Sequence, residues 1–229
     1  MSIKNGKDYM YLIWKSEKSR RQYIVGELSK NGEYEFKYGE EVNEAIKDGF
    51  TPFMPFADIN KMYNSTELFP VFLSRLPDRK RKDIDKILIK YGMEEYNPYQ
   101  LLKISGARLP IDNLQFIDPI LDYQNAFDRQ FYMAGARYYL GCDGNDCNKS
   151  IQVRVGEEVY LIKEPENLYD PNAIKVINYK KELLGYIPRY YSKAFTNILD
   201  RKRDYVCNVT SINQDKCCSE CILLKINVK

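Results

Sequence analysis

Glu164-Pro165-Glu166-Asn167-Leu168-Tyr169-Asp170-Pro171-Asn172-Ala173-Ile174-Lys175-Val176 joins a polar, turn-forming loop directly to a strand. Asp170 precedes a proline, which pushes its backbone toward extended conformations, and an Asp-Pro pair favours the start of a turn. Asn167, Tyr169 and Asp170 put an amide, a phenol and an acid within four residues, ahead of the β-branched run Ala173-Ile174-Lys175-Val176-Ile177. That run reads as a strand. Functional groups on a loop, held by a rigid strand, make a candidate site. The plain alternative is a hairpin connection, because Asn, Asp and Pro are ordinary turn residues.

Two further segments shift that balance. Gly135-Ala136-Arg137-Tyr138-Tyr139 lies upstream of the loop and Leu184-Gly185-Tyr186-Ile187-Pro188-Arg189 downstream. In order and wording the three segments resemble the HIRAN domain, a small β-barrel module found at the front of certain replication-fork helicases and in bacterial and phage proteins. The resemblance covers about the last hundred residues. It implies a fold like a modified OB barrel and a partner, the 3′ end of single-stranded DNA, with roles in DNA maintenance, repair, defence or regulation. By the same resemblance Tyr138 and Tyr169 clasp the terminal base, Arg137 holds a phosphate, and Asp170 accepts a hydrogen bond from the 3′-hydroxyl. Asn167 orders the loop or touches a base edge. Tyr139 adds a stacking face, Lys175 a phosphate contact, and Tyr186 stands where some relatives present a histidine. Arg189 is a further candidate for the site, or a surface residue at a helix start.

The chemistry fits those residue types. Bases stack on aromatic faces whatever their sequence, at roughly 1–3 kcal/mol per base, and Arg forks match phosphate oxygens. An acid beside DNA is repulsive except where the chain ends: a free hydroxyl donates to it, whereas a continuing phosphodiester opposes it.

Along the rest of the chain, residues 9–14, 20–28 and 33–38 read as strands, with Asn31-Gly32 as a hairpin signal. Helices are predicted around Val42–Ile46, over 66–76 with Thr66 available as a cap, from Ile84 to Tyr91, and from Asn97 to Ile104. Val25-Gly26-Glu27-Leu28, Phe72-Leu73-Ser74-Arg75-Leu76-Pro77-Asp78 and Pro98-Tyr99-Gln100-Leu101-Leu102 resemble the N-terminal subdomain of HipA-type toxin kinases over roughly residues 9–118. The kinase core is missing, so the resemblance implies a protein-contact role and no phosphoryl transfer. Arg79-Lys80-Arg81-Lys82 is read as a solvated turn beside Asp78, Asp83 and Asp85, with phosphate contact as its alternative.

The expected class is therefore α+β. Residues 1–124 form a small antiparallel sheet with short helices. Residues 125–229 form a six-stranded modified OB-like β-barrel with one helix, its strands near 131–140, 151–163, 173–178, 182–187, 204–213 and 221–228.

Composition narrows the chemistry. The 229 residues contain no His, which removes Ser-His and Cys-His nucleophile systems and the commonest transition-metal ligand. Net charge is +3, with 20 basic and 20 acidic side chains in residues 1–129 and 15 against 12 in residues 130–229. That excess suits a local site for a few phosphates rather than a broad polyanion-binding face. Short apolar runs and the lack of a signal-like start predict a cytoplasmic protein with no membrane partner. Of six cysteines, Cys142-x4-Cys147 and Cys218-x2-Cys221 have zinc-like spacing, so a structural zinc is weighed evenly against incidental thiols. Cys207 reads as a packed thiol.

The first reading is thus a single-stranded DNA end-binding module joined to a protein-contact domain, without catalysis of its own. The alternative is a protein-interaction adaptor or regulator of a DNA-processing or toxin system that never touches DNA. A nuclease ranks last, because Asp143, Asp146 and Asp170 lack a recognisable metal-site spacing.

Overall fold

A computed structural model describes residues 2–140, 153–213 and 220–229. The chain divides into two compact units, residues 2–121 and the residues from 122 onward.

In the first unit, strands β1 (Ile3–Lys4), β2 (Lys7–Lys15), β3 (Gln22–Asn31), β4 (Glu33–Tyr38) and β5 (Tyr63–Ser65) follow one another across an antiparallel sheet, and β6 (Leu114–Ile117) pairs with β2. Met10 and Leu12 alternate onto the covered face of β2, and Val25 and Leu28 on β3 and Phe36 on β4 are also fully buried, with the β2–β3 register shifting beside Val25, where Leu12 pairs with Gly26 and Ile13 with Ile24. Phe36 anchors an aromatic cluster, with ring centroids 4.6 Å from Phe56 and 5.1 Å from Phe72. Four short helices border the sheet: α1 (Val42–Lys47), α2 (Pro70–Leu73), α3 (Ile84–Lys90) and α4 (Pro98–Ser105). Asn97 caps α4 by accepting from Gln100 N at 3.1 Å, and Gly106 ends it at φ +70°.

The helix expected over 66–76 is only one turn long. Pro70 occupies its first position and Phe69 before it is extended, at φ −52° and ψ 131°. The ring of Pro70 disfavours a helical residue in front of it, so Thr66 does not act as a cap.

The second unit contains β7 (Phe127–Tyr132), α5 (Ala136–Tyr139), β8 (Tyr160–Lys163), β9 (Ile174–Ile177), β10 (Leu183–Tyr186), α6 (Arg189–Asp200), β11 (Tyr205–Ile212) and β12 (Ile222–Val228). They form two antiparallel three-stranded sheets, ordered β10-β9-β8 and β11-β12-β7. Tyr191, Phe195 and Ile198 of α6 are buried, and Phe195 lies 5.6 Å from Phe131 of β7.

Of the expected six-stranded modified OB-like barrel, the described residues show six strands and one long helix but no closure into a barrel. Among the described residues, isolated bridges link the segments beside the two sheets, Ala134 with Tyr186 and Glu158 with Asn208. One cause lies at Gly135: its left-handed φ of 76° starts a helical turn, so the strand expected over 131–140 stops at Tyr132 and Arg137-Tyr138-Tyr139 are helical. The strand expected over 151–163 is likewise confined, among the described residues, to Tyr160–Lys163. No helix of the described residues is long and apolar enough to cross a membrane.

Candidate nucleic-acid interface

The loop after β8 is built around one side chain, Glu164. Its Oε1 lies 2.5 Å from Lys175 Nζ. Its Oε2 accepts from Asn167 Nδ2 at 2.7 Å and from the Tyr186 hydroxyl at 2.8 Å. The ammonium of Lys175, then the Asn167 amide, hold the carboxyl below its ordinary range against the opposing effect of burial, and the Tyr186 phenol adds to them. Glu164 N donates to Ala173 O at 2.8 Å, closing the base of the loop. Three separate parts of the chain, residues 164–167, 175 and 186, are thereby tied to one carboxylate.

Asn167 transmits that order to the tip. Its Oδ1 accepts from Tyr169 N at 2.9 Å and from Asp170 N at 3.1 Å. Asp170 Oδ1 in turn accepts from Asn172 N at 2.9 Å, the local bond that makes Asp a turn former. With its backbone pinned, the bend holds Leu168 and Tyr169 outward, at 93% and 83% exposure. Asp170 itself is half-buried, and among the described residues its Oδ2 has no hydrogen-bond donor.

The upstream segment docks on the same assembly. Ala134 and Tyr186 exchange two backbone hydrogen bonds of 2.8 Å. The approach is that close because residue 185 is glycine: a Cβ there would fall 2.5 Å from Ala134 O. The turn of α5 then brings the Tyr139 ring within 5.5 Å of the Tyr186 ring. Desolvation, and hydrogen bonding with Tyr139 and Glu164, push the Tyr186 phenol upward, so it stays protonated and donates to Glu164. Tyr138 projects from the same turn at 82% exposure, and Arg137 is exposed beside it.

The structure thus gathers Tyr139, Tyr186, Glu164, Lys175 and Asn167 into one connected group, with Tyr169 and Asp170 on the bend that Asn167 orders. Some expected roles change. Lys175 is engaged by Glu164 rather than presented to solvent alone. Asn167 orders the loop, its Oδ1 accepting two backbone bonds and its Nδ2 donating to Glu164. Tyr186 acts as a brace under Tyr139 and Glu164. Arg189 opens α6 and is half-buried. Glu164 was legible only as part of the motif; an acid three residues before an asparagine and two before the next acid gives no sign of a hub.

Of the cysteines considered for zinc, Cys142, Cys147 and Cys218 lie outside the described residues. Cys221 is buried immediately before β12. Cys207 is buried in β11, and burial pushes its thiol up to about 12, as suits a packed side chain. Among the described residues no cluster of His, Cys, Asp or Glu is arranged to hold a metal ion.

The model of the HIRAN domain family matches residues 127–227. A Fanconi-associated nuclease 1 homolog of Arabidopsis thaliana is 35% identical over 74 residues, 32% of this chain and 8% of that protein. A helicase-like transcription factor of Oryctolagus cuniculus is 33% identical over 94 residues, 41% of this chain and 8% of that protein. This chain therefore spans less than a tenth of either relative. Two solved structures are also similar, each with a TM-score of 0.35: the HIRAN domain of human HLTF, at 25% identity over 44% of this chain and 74% of that one, and a Lactobacillus plantarum protein, at 27% identity over 45% and 95%. The matched residues contain all three segments of the assembly just described, and residues 127–227 of this chain are a HIRAN domain.

Proposed function

We propose that residues 122–229 capture a single strand of DNA at its 3′-hydroxyl end. HIRAN domains bind DNA, and the coarse function of this part is that of a DNA-binding module; the end preference goes further and is our own reading. The observation that carries it is the pinned bend. Asn167 fixes the backbone of Tyr169 and Asp170, so an exposed ring and a carboxylate oxygen are preorganised before any ligand arrives. Preorganisation matters because a loop ordered in advance loses little freedom on binding.

In this reading Tyr169 and Tyr138 stack on the terminal base, Arg137 meets a phosphate, and Asp170 accepts from the terminal hydroxyl. Tyr139, Tyr186, Glu164, Lys175 and Asn167 position the first group. The module binds without turnover. Residues 2–121 take a protein-contact role, following their resemblance to the HipA N-terminal subdomain, and co-purification of a partner through these residues is the corresponding test.

The deciding experiment compares labelled single strands ending in a 3′-hydroxyl with the same strands ending in a 3′-phosphate. Tighter binding of the hydroxyl end, with most affinity lost in Tyr169→Ala, supports end capture. Equal binding of both ends sinks it. Binding to neither, with a protein partner recovered instead, favours the adaptor reading.

A further inference from the structure

The sheet β10-β9-β8 turns one face to solvent, and that face runs on from the group around Glu164. In an antiparallel sheet, residues paired across strands stand on the same face, and every second residue along a strand returns to it. The register therefore sorts the side chains into rows. Glu164 stands at one end, where its backbone bonds to Ala173. Next comes a row of Ile162, Lys175 and Tyr186, and beyond it a row of Tyr160, Ile177 and Leu183. Tyr160, Ile162 and Glu164 are alternate residues of one run, so the carboxylate that organises the loop shares its face with both side chains of β8. Successive rows lie about 7 Å apart.

The opposite face is the core side, where Leu161, Ile174 and Val176 are buried. A solvated face of such a sheet ordinarily carries polar residues. Instead β8 presents Ile162 at 47% exposure and Tyr160 at 41%. Apolar side chains scattered singly on a surface need no explanation, but these two are successive on one face and lie in register with Lys175 and Tyr186. The two rows contain no acid, and their one cation, Lys175, is held by Glu164. Stacking rather than charge is therefore what this face offers. A phenol ring and an aliphatic side chain without a lining acid suit nucleic-acid bases of any sequence. At the far end the β9–β10 turn exposes Lys180 and Lys181, beside a Glu182 that is bonded to Asn178 Nδ2 at 2.6 Å. At the near end Tyr139 and Tyr186 are in contact where the loop meets the sheet. A strand whose 3′ end sits in the bend and which continues past Tyr186 passes over Ile162 and then Tyr160.

We propose that this face is a platform for the nucleotides 5′ of the captured end, an inference that rests on the end-capture reading above. Tyr160 stacks on a base, and Ile162 packs against the nucleotide between it and the terminus. The test measures binding of a thymidine dinucleotide and a thymidine hexanucleotide, each ending in a 3′-hydroxyl, and of the hexanucleotide ending in a 3′-phosphate. The proteins are the full chain and its Tyr160→Thr, Ile162→Thr double variant. Threonine keeps the strand preference of a β-branched residue, and a melting curve checks that the fold survives. Where the double variant melts early, the single exchange Ile162→Thr carries the same comparison. The parent should bind the hydroxyl-ended hexanucleotide about tenfold or more tighter than the dinucleotide, and the double variant should lose that gain while binding the dinucleotide as the parent does. A parent without the length gain, or a gain equal in both proteins, overturns the platform, whereas the end-capture reading is judged separately by the hydroxyl and phosphate ends. Loss of the gain in the double variant with both ends bound alike supports the platform and removes end capture. Unchanged strand binding, with a co-purified protein released by the double variant, assigns the face to a protein partner and overturns the proposal.

Discussion

Replacing Gly185 with alanine adds one methyl group where two backbone segments leave no room for it. The new Cβ would sit 2.5 Å from Ala134 O and 2.9 Å from Met133 Cγ. The methionine can rotate away, but the carbonyl cannot, because the Ala134 and Tyr186 backbones are joined by reciprocal bonds of 2.8 Å. A carbon and a carbonyl oxygen normally stay about 3.3 Å apart or more, so the segments must separate by most of an ångström. Overpacking of this kind destabilises by about 1–3 kcal/mol, and weakening two backbone hydrogen bonds adds roughly 0.5–1.5 kcal/mol each. A total of about 2–6 kcal/mol corresponds to a fall of some 10 °C or more in the melting transition of a unit this small. The separation also carries α5 away from β10, so Tyr139 loses its contact with Tyr186, and the proposed strand binding is expected to weaken together with stability. Thermal melting and amide exchange at Ala134 and Tyr186 read the effect directly. A variant that melts within about 2 °C of the parent, with both amides equally protected, would refute the account of why the three segments occur together.

Three other outcomes follow from the same geometry. Asn167→Ala removes both acceptor bonds to the bend and the donor bond to Glu164; strand affinity should drop about tenfold or more, as expected if the bend loses some 1–3 kcal/mol of order, while the melting temperature stays nearly unchanged. Glu164 is held below its ordinary carboxyl pKa, so its stabilisation of the loop is complete above the ordinary value of about 4.3 and disappears as pH falls through the lowered one. The side-chain amide resonance of Asn167 should therefore titrate with a midpoint below that ordinary value, and Glu164→Gln should abolish the transition; a midpoint at or above it would count against the hub. In the first unit, Asp112→Ala leaves the buried Arg75 guanidinium without its acid, and denaturant melts should show a loss of about 3–5 kcal/mol.

The parts of this protein that the sequence determined by itself are those governed by neighbours along the chain. The strands at residues 7–15, 22–31 and 33–38, the helices at 84–90 and 98–105, and the apolar face of α6 follow from periodicity and from local stop signals such as Gly106. The Asn167-to-Asp170 bend was equally legible, because Asn and Asp side chains bond to backbone amides only two or three residues away. Tertiary structure alone decided that Glu164 collects Lys175, Asn167 and Tyr186, and that Gly185 lets Ala134 approach. It also decided that Arg137-Tyr138-Tyr139 form a helical turn rather than an edge strand. Those outcomes depend on which distant segment fills the space beside a residue: burial and a close backbone partner select among conformations that the local sequence leaves nearly equal in energy.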